Sequence, residues 1–240
     1  MSKLGLASRT QARGLIAEGR VTVDGIRVTN PKALVVPERV TITIDGAAAH
    51  APRPFTIVLH KPRGVVTTRS DPDGRKTVFD LIADVPVPVM PVGRLDLATS
   101  GLLILTNDTR FADWLTDPTS GIPRVYLVTV KGRADDDTTE DLRQGIRVDG
   151  ERLTASAAEV RKASSRESHL VVTLTEGKNR EVRRMLAATG HPVTRLRRVE
   201  YGGLALGTLA PGTWREVTPE EIRRAFPGRP QPKRRLPSPK

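Results

Sequence analysis

The sequence predicts an α+β protein in two parts: a small N-terminal α/β module, then a larger domain with a central, mostly antiparallel or mixed β-sheet flanked by helices. Three observations point there. At 240 residues the chain can form one sizeable domain and a small one. An aperiodic stretch, Ala47-Ala48-Ala49-His50-Ala51-Pro52-Arg53-Pro54, separates two patterned regions and reads as a linker. The second region mixes helical stripes with strand-type runs. Among the latter is Leu102-Leu103-Ile104-Leu105, a continuous apolar run of the kind buried on both faces. The expected boundaries are 1–46 for the module, 47–54 for the linker, 55–226 for the large domain and 227–240 for a tail.

In chain order, Ser8 and Gln11 form a capping box, and Ala12, Leu15 and Ile16 follow at helical spacing until Gly19. Val21-Thr22-Val23 and Ile26-Arg27-Val28 flank Asp24-Gly25, a strong hairpin signal. Val40, Ile42 and Ile44 alternate with threonines as a third strand ending at Asp45-Gly46. In the large domain, Phe55-Thr56-Ile57-Val58-Leu59 is a strand entering the turn Lys61-Pro62-Arg63-Gly64. Thr77 and Asp80 box a short helix with Val78, Leu81 and Ile82. A helix with Phe111, Trp114 and Leu115 follows the apolar run, and residues 125–130 then alternate, with Tyr126, Val128 and Val130 on one face. Leu170-Val171-Val172-Thr173-Leu174 is a strand, and residues 180–189 a helix stopped by Gly190. Thr218, Pro219 and Glu221 open a last helix. Beyond Phe226 the chain is Pro-rich and basic, with too little apolar surface to offset ordering entropy, and disorder is expected. Asp24, Asp45 and Asp149 each precede a glycine in different surroundings, which makes them recurring turns and not a repeat.

Composition narrows the function classes. Hydrophobic residues at 38% and charged residues at 28% suit a soluble globular chain. No apolar run approaches the roughly 20 residues that span a bilayer, and no secretory core follows Met1, so the expectation is no membrane and a cytoplasmic location. Without cysteine there is no thiolate metal site and no cysteine nucleophile. His60, His169 and His191 lack ligand-like spacing, so structural roles are expected and no metal. Thirty-nine Lys and Arg against 27 Asp and Glu, a net charge of +12, make nucleic acid the leading partner. Aromatics at 3% argue against an extended stacking platform for single strands.

Four segments could carry chemistry. Pro91-Val92-Gly93-Arg94-Leu95-Asp96-Leu97-Ala98-Thr99-Ser100-Gly101 surrounds one carboxylate with glycines and hydroxyls, as a loop presenting Asp96 or a turn capped by it. Tyr126 is either a packed strand aromatic or a site residue. Glu176-Gly177-Lys178-Asn179-Arg180-Glu181-Val182-Arg183-Arg184-Met185-Leu186 sets positive charge at a helix start, with Val182, Met185 and Leu186 inward. Arg180 and Arg184 share a face at i,i+4, solvated or phosphate-binding, while Arg183 projects beside the apolar stripe. Arg195, Arg197 and Arg198 form a basic run readable as RNA contact or surface charge.

Taken together these segments resemble the RsuA-type ribosomal RNA pseudouridine synthases. Gly93-Arg94-Leu95-Asp96 followed by Thr99-Ser100-Gly101-Leu102-Leu103-Ile104-Leu105-Thr106-Asn107-Asp108 is similar to that family's catalytic motif. The likeness extends to Leu59-His60-Lys61-Pro62-Arg63-Gly64, Arg124-Val125-Tyr126-Leu127-Val128, Lys178-Asn179-Arg180-Glu181-Val182-Arg183-Arg184-Met185 and Gly212-Thr213-Trp214-Arg215-Glu216-Val217-Thr218, in the family's order. The N-terminal module resembles an S-four type RNA-binding domain through Ser8-Arg9-Thr10-Gln11-Ala12-Arg13 and Gly19-Arg20-Val21-Thr22-Val23-Asp24-Gly25, with its first helix truncated to Ser2-Lys3-Leu4-Gly5.

The resemblance implies a pseudouridine synthase catalytic domain with a cleft in its sheet, which breaks an N-glycosidic bond, turns the uracil and rejoins it through carbon 5. It implies no cofactor. Asp96 becomes the nucleophile, acting at carbon 6 of the base, at carbon 1 of the ribose, or by taking a proton towards a glycal. Arg183 becomes its ion-pair partner, since a buried charge without one is costly. Tyr126 stacks near the uracil and relays the carbon-5 proton. Val182 packs against the flipped base, Arg94 wedges or contacts phosphate, and Lys178, Asn179 and Arg180 join the substrate-binding set. Arg9, Arg13 and Arg20 would meet phosphates. Ribosomal RNA, or a ribosome-assembly intermediate, is the expected partner of a monomer, with Asp71-Pro72-Asp73-Gly74-Arg75-Lys76-Thr77-Val78-Phe79-Asp80 closer to members acting on the large subunit. A non-catalytic RNA-binding or assembly factor on the same fold is the alternative.

Overall fold

A computed structural model describes residues 1, 6–36, 39–49 and 52–230. The N-terminal module comprises α1 (Arg9–Ala17) and strands β1 (Val21–Val23), β2 (Ile26–Arg27), β3 (Ile42–Ile44) and β4 (Ala47–Ala48) in the order β2-β1-β3-β4. The capping box forms: Gln11 N–H donates to Ser8 Oγ at 3.2 Å while Ser8 N–H donates to Gln11 Oε1 at 2.9 Å. Asp24-Gly25 and Asp45-Gly46 both have positive φ at each residue (50° and 81°, 52° and 78°), the backbone that tight hairpins demand. The second of these turns corrects the linker boundary. Ala47 and Ala48, read above as linker, pair with Ile44 and Thr43 as an edge strand. The truncated first helix expected at Ser2-Lys3-Leu4-Gly5 lies outside the described residues.

The large domain contains β5 (Thr56–Lys61), β6 (Met90–Pro91), β7 (Thr99–Thr106), β8 (Arg124–Lys131), β9 (Ile146–Val148), β10 (Glu151–Leu153), β11 (Ala157–Ala163), β12 (Glu167–Leu174), β13 (Val193–Tyr201), β14 (Leu204–Ala205) and β15 (Trp214–Glu216). Its helices are α2 (Thr109–Thr116), α3 (Asp136–Gln144), α4 (Glu181–Ala188) and α5 (Pro219–Ala225). Seven strands form a mixed sheet in the order β11-β12-β8-β13-β7-β5-β15, while β6 adds to β7, β14 to β13, and β9 and β10 form a separate hairpin. The short helix expected near Thr77 is a single 3-10 turn, Phe79–Leu81, with Asp80 accepting from Thr77 N–H at 2.7 Å.

Three apolar cores hold these layers. Because successive strand residues face opposite ways, Leu102 and Ile104 join Phe111, Leu115 and Phe226 on one face of the sheet. Leu103 and Leu105 join Ile57, Leu59, Val78 and Ile82 on the other, so the continuous apolar run is buried on both faces. The third core packs Tyr126, Val128 and Val130 with Leu170, Val172, Leu142, Met185 and Leu186.

The largest departure from expectation is β13. Arg195, Arg197 and Arg198 belong to this nine-residue strand inside the sheet, antiparallel to β8 and parallel to β7. Arg198 is 3% exposed and donates Nε–H to Leu102 O at 2.8 Å, so it is neither surface charge nor a free phosphate contact. The tail also starts later than expected. Arg229 pairs with Asp108 and lies 4.3 Å over the Phe111 ring, whereas residues 231–240 lie outside the described residues.

The β7–β13 pairing requires glycine at one point. Gly101 has φ +112°, and a Cβ there would lie 2.0 Å from Arg198 O. Gly101→Ala should therefore lower unfolding free energy by about 3 kcal/mol or more, measured by urea denaturation; a loss within experimental error would show that this seam is slack.

Candidate active site

The loop between β6 and β7 presents Asp96 and is fastened from beneath. Thr99 N–H donates to Asp96 O at 2.9 Å, and Gly64 N–H donates to Leu97 O at 2.8 Å. Leu95 is buried, its N–H donating to Thr67 Oγ1 at 3.3 Å while the Thr67 hydroxyl donates to Leu95 O at 2.9 Å. The main fastening is Lys61, at the end of β5 and fully buried. Its ammonium donates to Pro62 O (3.0 Å), Asp96 O (3.1 Å) and Thr99 O (2.9 Å). Burial pulls Lys61 down to about 8, against the opposing field of Asp96.

Facing this loop is a cleft of about 540 Å³. It brings together Asp96, Tyr126, Arg94, Val182, Lys178, Asn179 and Arg180, seven of the eight residues expected around the uridine. Tyr126 is 8% exposed and so is both a core aromatic and a wall of the cleft. Its neighbour across the ladder is Arg198, which shares the same sheet face and also lines the cleft. Arg124 and Arg198 lie 4.8 Å and 5.0 Å from the Tyr201 ring centroid, and the Tyr201 hydroxyl donates to Leu115 O at 2.7 Å.

The eighth residue, Arg183, is placed differently. Its guanidinium reaches behind the loop, donating to Ala98 O at 3.1 Å and to Val193 O at 3.2 Å. Burial foremost, then the charge of Arg180, pulls Arg183 below its ordinary value, Asp96 opposing. The ion pair expected from Arg183 is made instead by Arg180, whose Nη1 lies 3.6 Å from Asp96 Oδ2. Two causes act together. The helix begins at Glu181 and not at Arg180, and Arg180 stands before it in the left-handed conformation, φ +47°. Arg180 and Arg184 therefore do not share a binding face, since Arg184 turns to Glu151 at 2.6 Å and Val148 O at 3.0 Å.

Elsewhere, Arg9 and Arg13 are exposed on α1, while Arg20 is tied to Asp45 at 2.7 Å and Glu18 at 2.9 Å. His60 bonds Leu209 O at 2.7 Å, His169 lies 3.2 Å from Thr129 Oγ1, and His191 lies 3.3 Å from Thr138 Oγ1. Asp135 caps α3, accepting from Thr138 N–H at 3.0 Å. A second hollow, of about 500 Å³ at Gln144, Gly145, Arg147 and Arg152, has neither carboxylate nor nucleophile in its lining.

Lys61 stands within the motif Leu59-His60-Lys61-Pro62-Arg63-Gly64, which by itself assigns it no task. The available signal was a lysine continuing an apolar strand with no polar alternation. Lys61→Met would take a charged donor from three carbonyls, of which Asp96 O keeps Thr99 N–H, at a cost of at least about 2 kcal/mol. Urea denaturation should record that loss and turnover should fall with it; unchanged stability and turnover would mean the loop needs no ammonium.

Comparison with known proteins follows the same division of the chain. A family model described as RNA pseudouridylate synthase matches residues 55–188, and an S4 domain model matches residues 1–40. The chain is 39% identical over 222 residues to the ribosomal large subunit pseudouridine synthase B of Bacillus subtilis, covering 92% of this chain and 91% of that one. It is 40% identical over 227 residues to an uncharacterized RNA pseudouridine synthase of Aquifex aeolicus, covering 94% and 91%. A solved pseudouridylate synthase structure superposes with a TM-score of 0.63 at 25% identity, covering 91% of this chain and 94% of the other. A cleft lined by the loop carboxylate Asp96, a tyrosine and several arginines thus sits within a chain that belongs to the RNA pseudouridylate synthase family.

Proposed function

We propose that this protein isomerises a uridine of large-subunit ribosomal RNA to pseudouridine, with Asp96 as the nucleophile. The observation that supports it most is the convergence of Asp96, Tyr126 and Arg180 on one cleft from three separate segments. The large-subunit assignment rests on the likeness to the Bacillus subtilis enzyme and on the segment 71–80.

Uridine and pseudouridine are isomers, so the reaction consumes no oxidant and no group donor. The glycosidic bond between ribose carbon 1 and nitrogen 1 breaks, a bond to carbon 5 forms, and the carbon-5 proton leaves as nitrogen 1 gains one. The Asp96 carboxylate can attack carbon 6 of the uracil, attack carbon 1 of the ribose, or accept a proton towards a glycal. Each route begins at the carboxylate, and the Arg180 guanidinium lies 3.6 Å from it. Tyr126 relays the carbon-5 proton, and Val182 supplies apolar contact for the base. Unstacking the uridine costs a few kcal/mol. Lys178, Asn179, Arg180 and Arg94 offset that cost from the cleft, with Arg9 and Arg13 of the small module holding phosphates nearby.

Tritium release from carbon-5-labelled uridine in ribosomal RNA tests this directly. Asp96→Asn should lower release by about 10³-fold or more while RNA affinity stays within about threefold, because the amide keeps the shape and removes the nucleophile. Equal release from both proteins would leave a non-catalytic RNA binder. Mapping pseudouridine in cells with and without the protein should show one lost position in large-subunit RNA; a loss in small-subunit RNA would overturn the assignment.

A further inference from the structure

The segment that carries Lys178, Asn179 and Arg180 into the cleft is closed by two carboxyl groups that face each other. Glu181, the first residue of α4, is 3% exposed. Its Oε2 accepts Lys178 N–H at 3.0 Å, but its Oε1 is buried with no donor in reach. The group against it is Glu176, whose own Oε1 accepts from Lys178 Nζ at 2.8 Å. Two ionised carboxylates in that contact would repel, and a buried oxygen without a donor is rare. One proton held between them removes both difficulties.

The acidities of the two groups agree with that arrangement. Burial first, then the hydrogen bond and charge of Glu176, pushes Glu181 up to about 7. Glu176, although burial works to raise it, is held below its ordinary value by hydrogen bonds from Lys178 and Glu181. Splitting a carboxyl pair in this way marks one as acid and the other as anion. The other charged group facing the pair is Lys178, whose Nζ also donates to Arg152 O of β10 at 2.8 Å; Arg124 of β8 fastens the adjoining backbone by donating to Thr175 O at 2.9 Å. Glu151, also on β10, acts on the pair through Lys178.

Arg180 sits between these anchors in the left-handed conformation, which a non-glycine residue keeps only when its surroundings over-determine it. Lys178, two residues before it, is tied through its N–H to Glu181, one residue after it. We propose that Glu176 and Glu181 share one proton, and that this protonated pair is the device that positions Arg180 against Asp96. Ionising Glu181 sets two negative charges against each other, loosens segment 176–180 and takes Arg180 off the carboxylate. Glu181 is thus a positioning residue, and the inference rests on the reading of Asp96 as nucleophile.

The sign follows from the direction of the shift. Glu181 is raised above its ordinary 4.5, so the contact is complete below that value and is lost as pH rises through about 7. In single-turnover tritium release, the wild-type rate should fall about tenfold per pH unit above that point. Glu181→Gln, neutral and of the same shape, should flatten this alkaline fall, and Glu181→Ala should be slow throughout. In parallel, carboxyl-labelled glutamate followed by NMR in the whole protein, assigned with Glu176→Gln and Glu181→Gln, should show Glu181 titrating near neutrality. A Glu181→Gln enzyme that keeps the wild-type alkaline fall, or a Glu181 that titrates in the ordinary carboxylate range, would overturn the proposal. A wild type that makes no pseudouridine would instead remove the reading of Asp96, and the NMR titration would still decide the shared proton.

Discussion

The structure depends on the close parallel contact between β7 and β13. Only three residue pairs make it, Leu196 with Thr99, Arg197 with Ser100 and Arg198 with Gly101. Its other edge binds β13 to β8 along nearly its whole length. One strand therefore sews the two halves of the sheet together, and it does so where the cleft opens. Because Asp96 lies three residues before β7 and Tyr126 is the cross-strand partner of Arg198, the register sets carboxylate and tyrosine on opposite sides of β13. Arg198 reinforces the seam with its side chain, bonding Leu102 O while its Nη2 stays buried without a partner. An insertion or a Cβ at this point would disturb the fold and the site together.

The charges around the cleft are arranged unusually for buried groups. Lys61 gives its three hydrogen bonds to carbonyls, Arg124 bonds Ile122 O, Thr175 O and Leu115 O, and Arg183 bonds Ala98 O and Val193 O. Carbonyl dipoles take most of these donors without cancelling the charge, although Arg183 Nε is buried with no acceptor. The field of these cations therefore reaches into the cleft, where it attracts a polyanionic substrate. A design that paired each cation with its own carboxylate would be as well hydrogen-bonded but electrostatically silent. The net charge of +12 shows in the sequence, whereas the placing of Lys61, Arg124 and Arg183 against carbonyls around the cleft is a property of the fold.

Much of this was legible beforehand, for identifiable reasons. Period and turn chemistry are local, so the Asp-Gly hairpins, the capping boxes at Ser8 and Thr218, and the doubly buried run at Leu102 were readable. The members of the site were readable as residue types in a familiar order, and seven of eight meet in one cleft. What failed depended on distant partners. Arg198 is buried because Gly101, nearly a hundred positions earlier, lets a strand lie against it. Ala47 and Ala48 have no strand signal of their own and pair only because a tight turn returns them to β3. Arg180 was placed on the helix because its neighbours are helical; a single left-handed residue reverses which arginine meets Asp96.

That reversal bears on what the Arg180–Asp96 contact is for. At 3.6 Å, with half of Arg180 and a third of Asp96 exposed, the pair is loose and bathed in water. Such pairs contribute about 0–1 kcal/mol to stability, no more than the left-handed backbone at Arg180 costs. Fold stability alone therefore gives no reason for it. The balance changes when a nucleotide fills the cleft. Excluding water lowers the local dielectric, and the same two charges at the same distance then attract several times more strongly. A contact that is nearly neutral in the empty cleft and strong in the filled one adds its energy only when substrate is in place. It thus adds to the binding of the nucleotide, whereas a tight, buried Arg183–Asp96 pair would already have expressed its attraction before the RNA arrived.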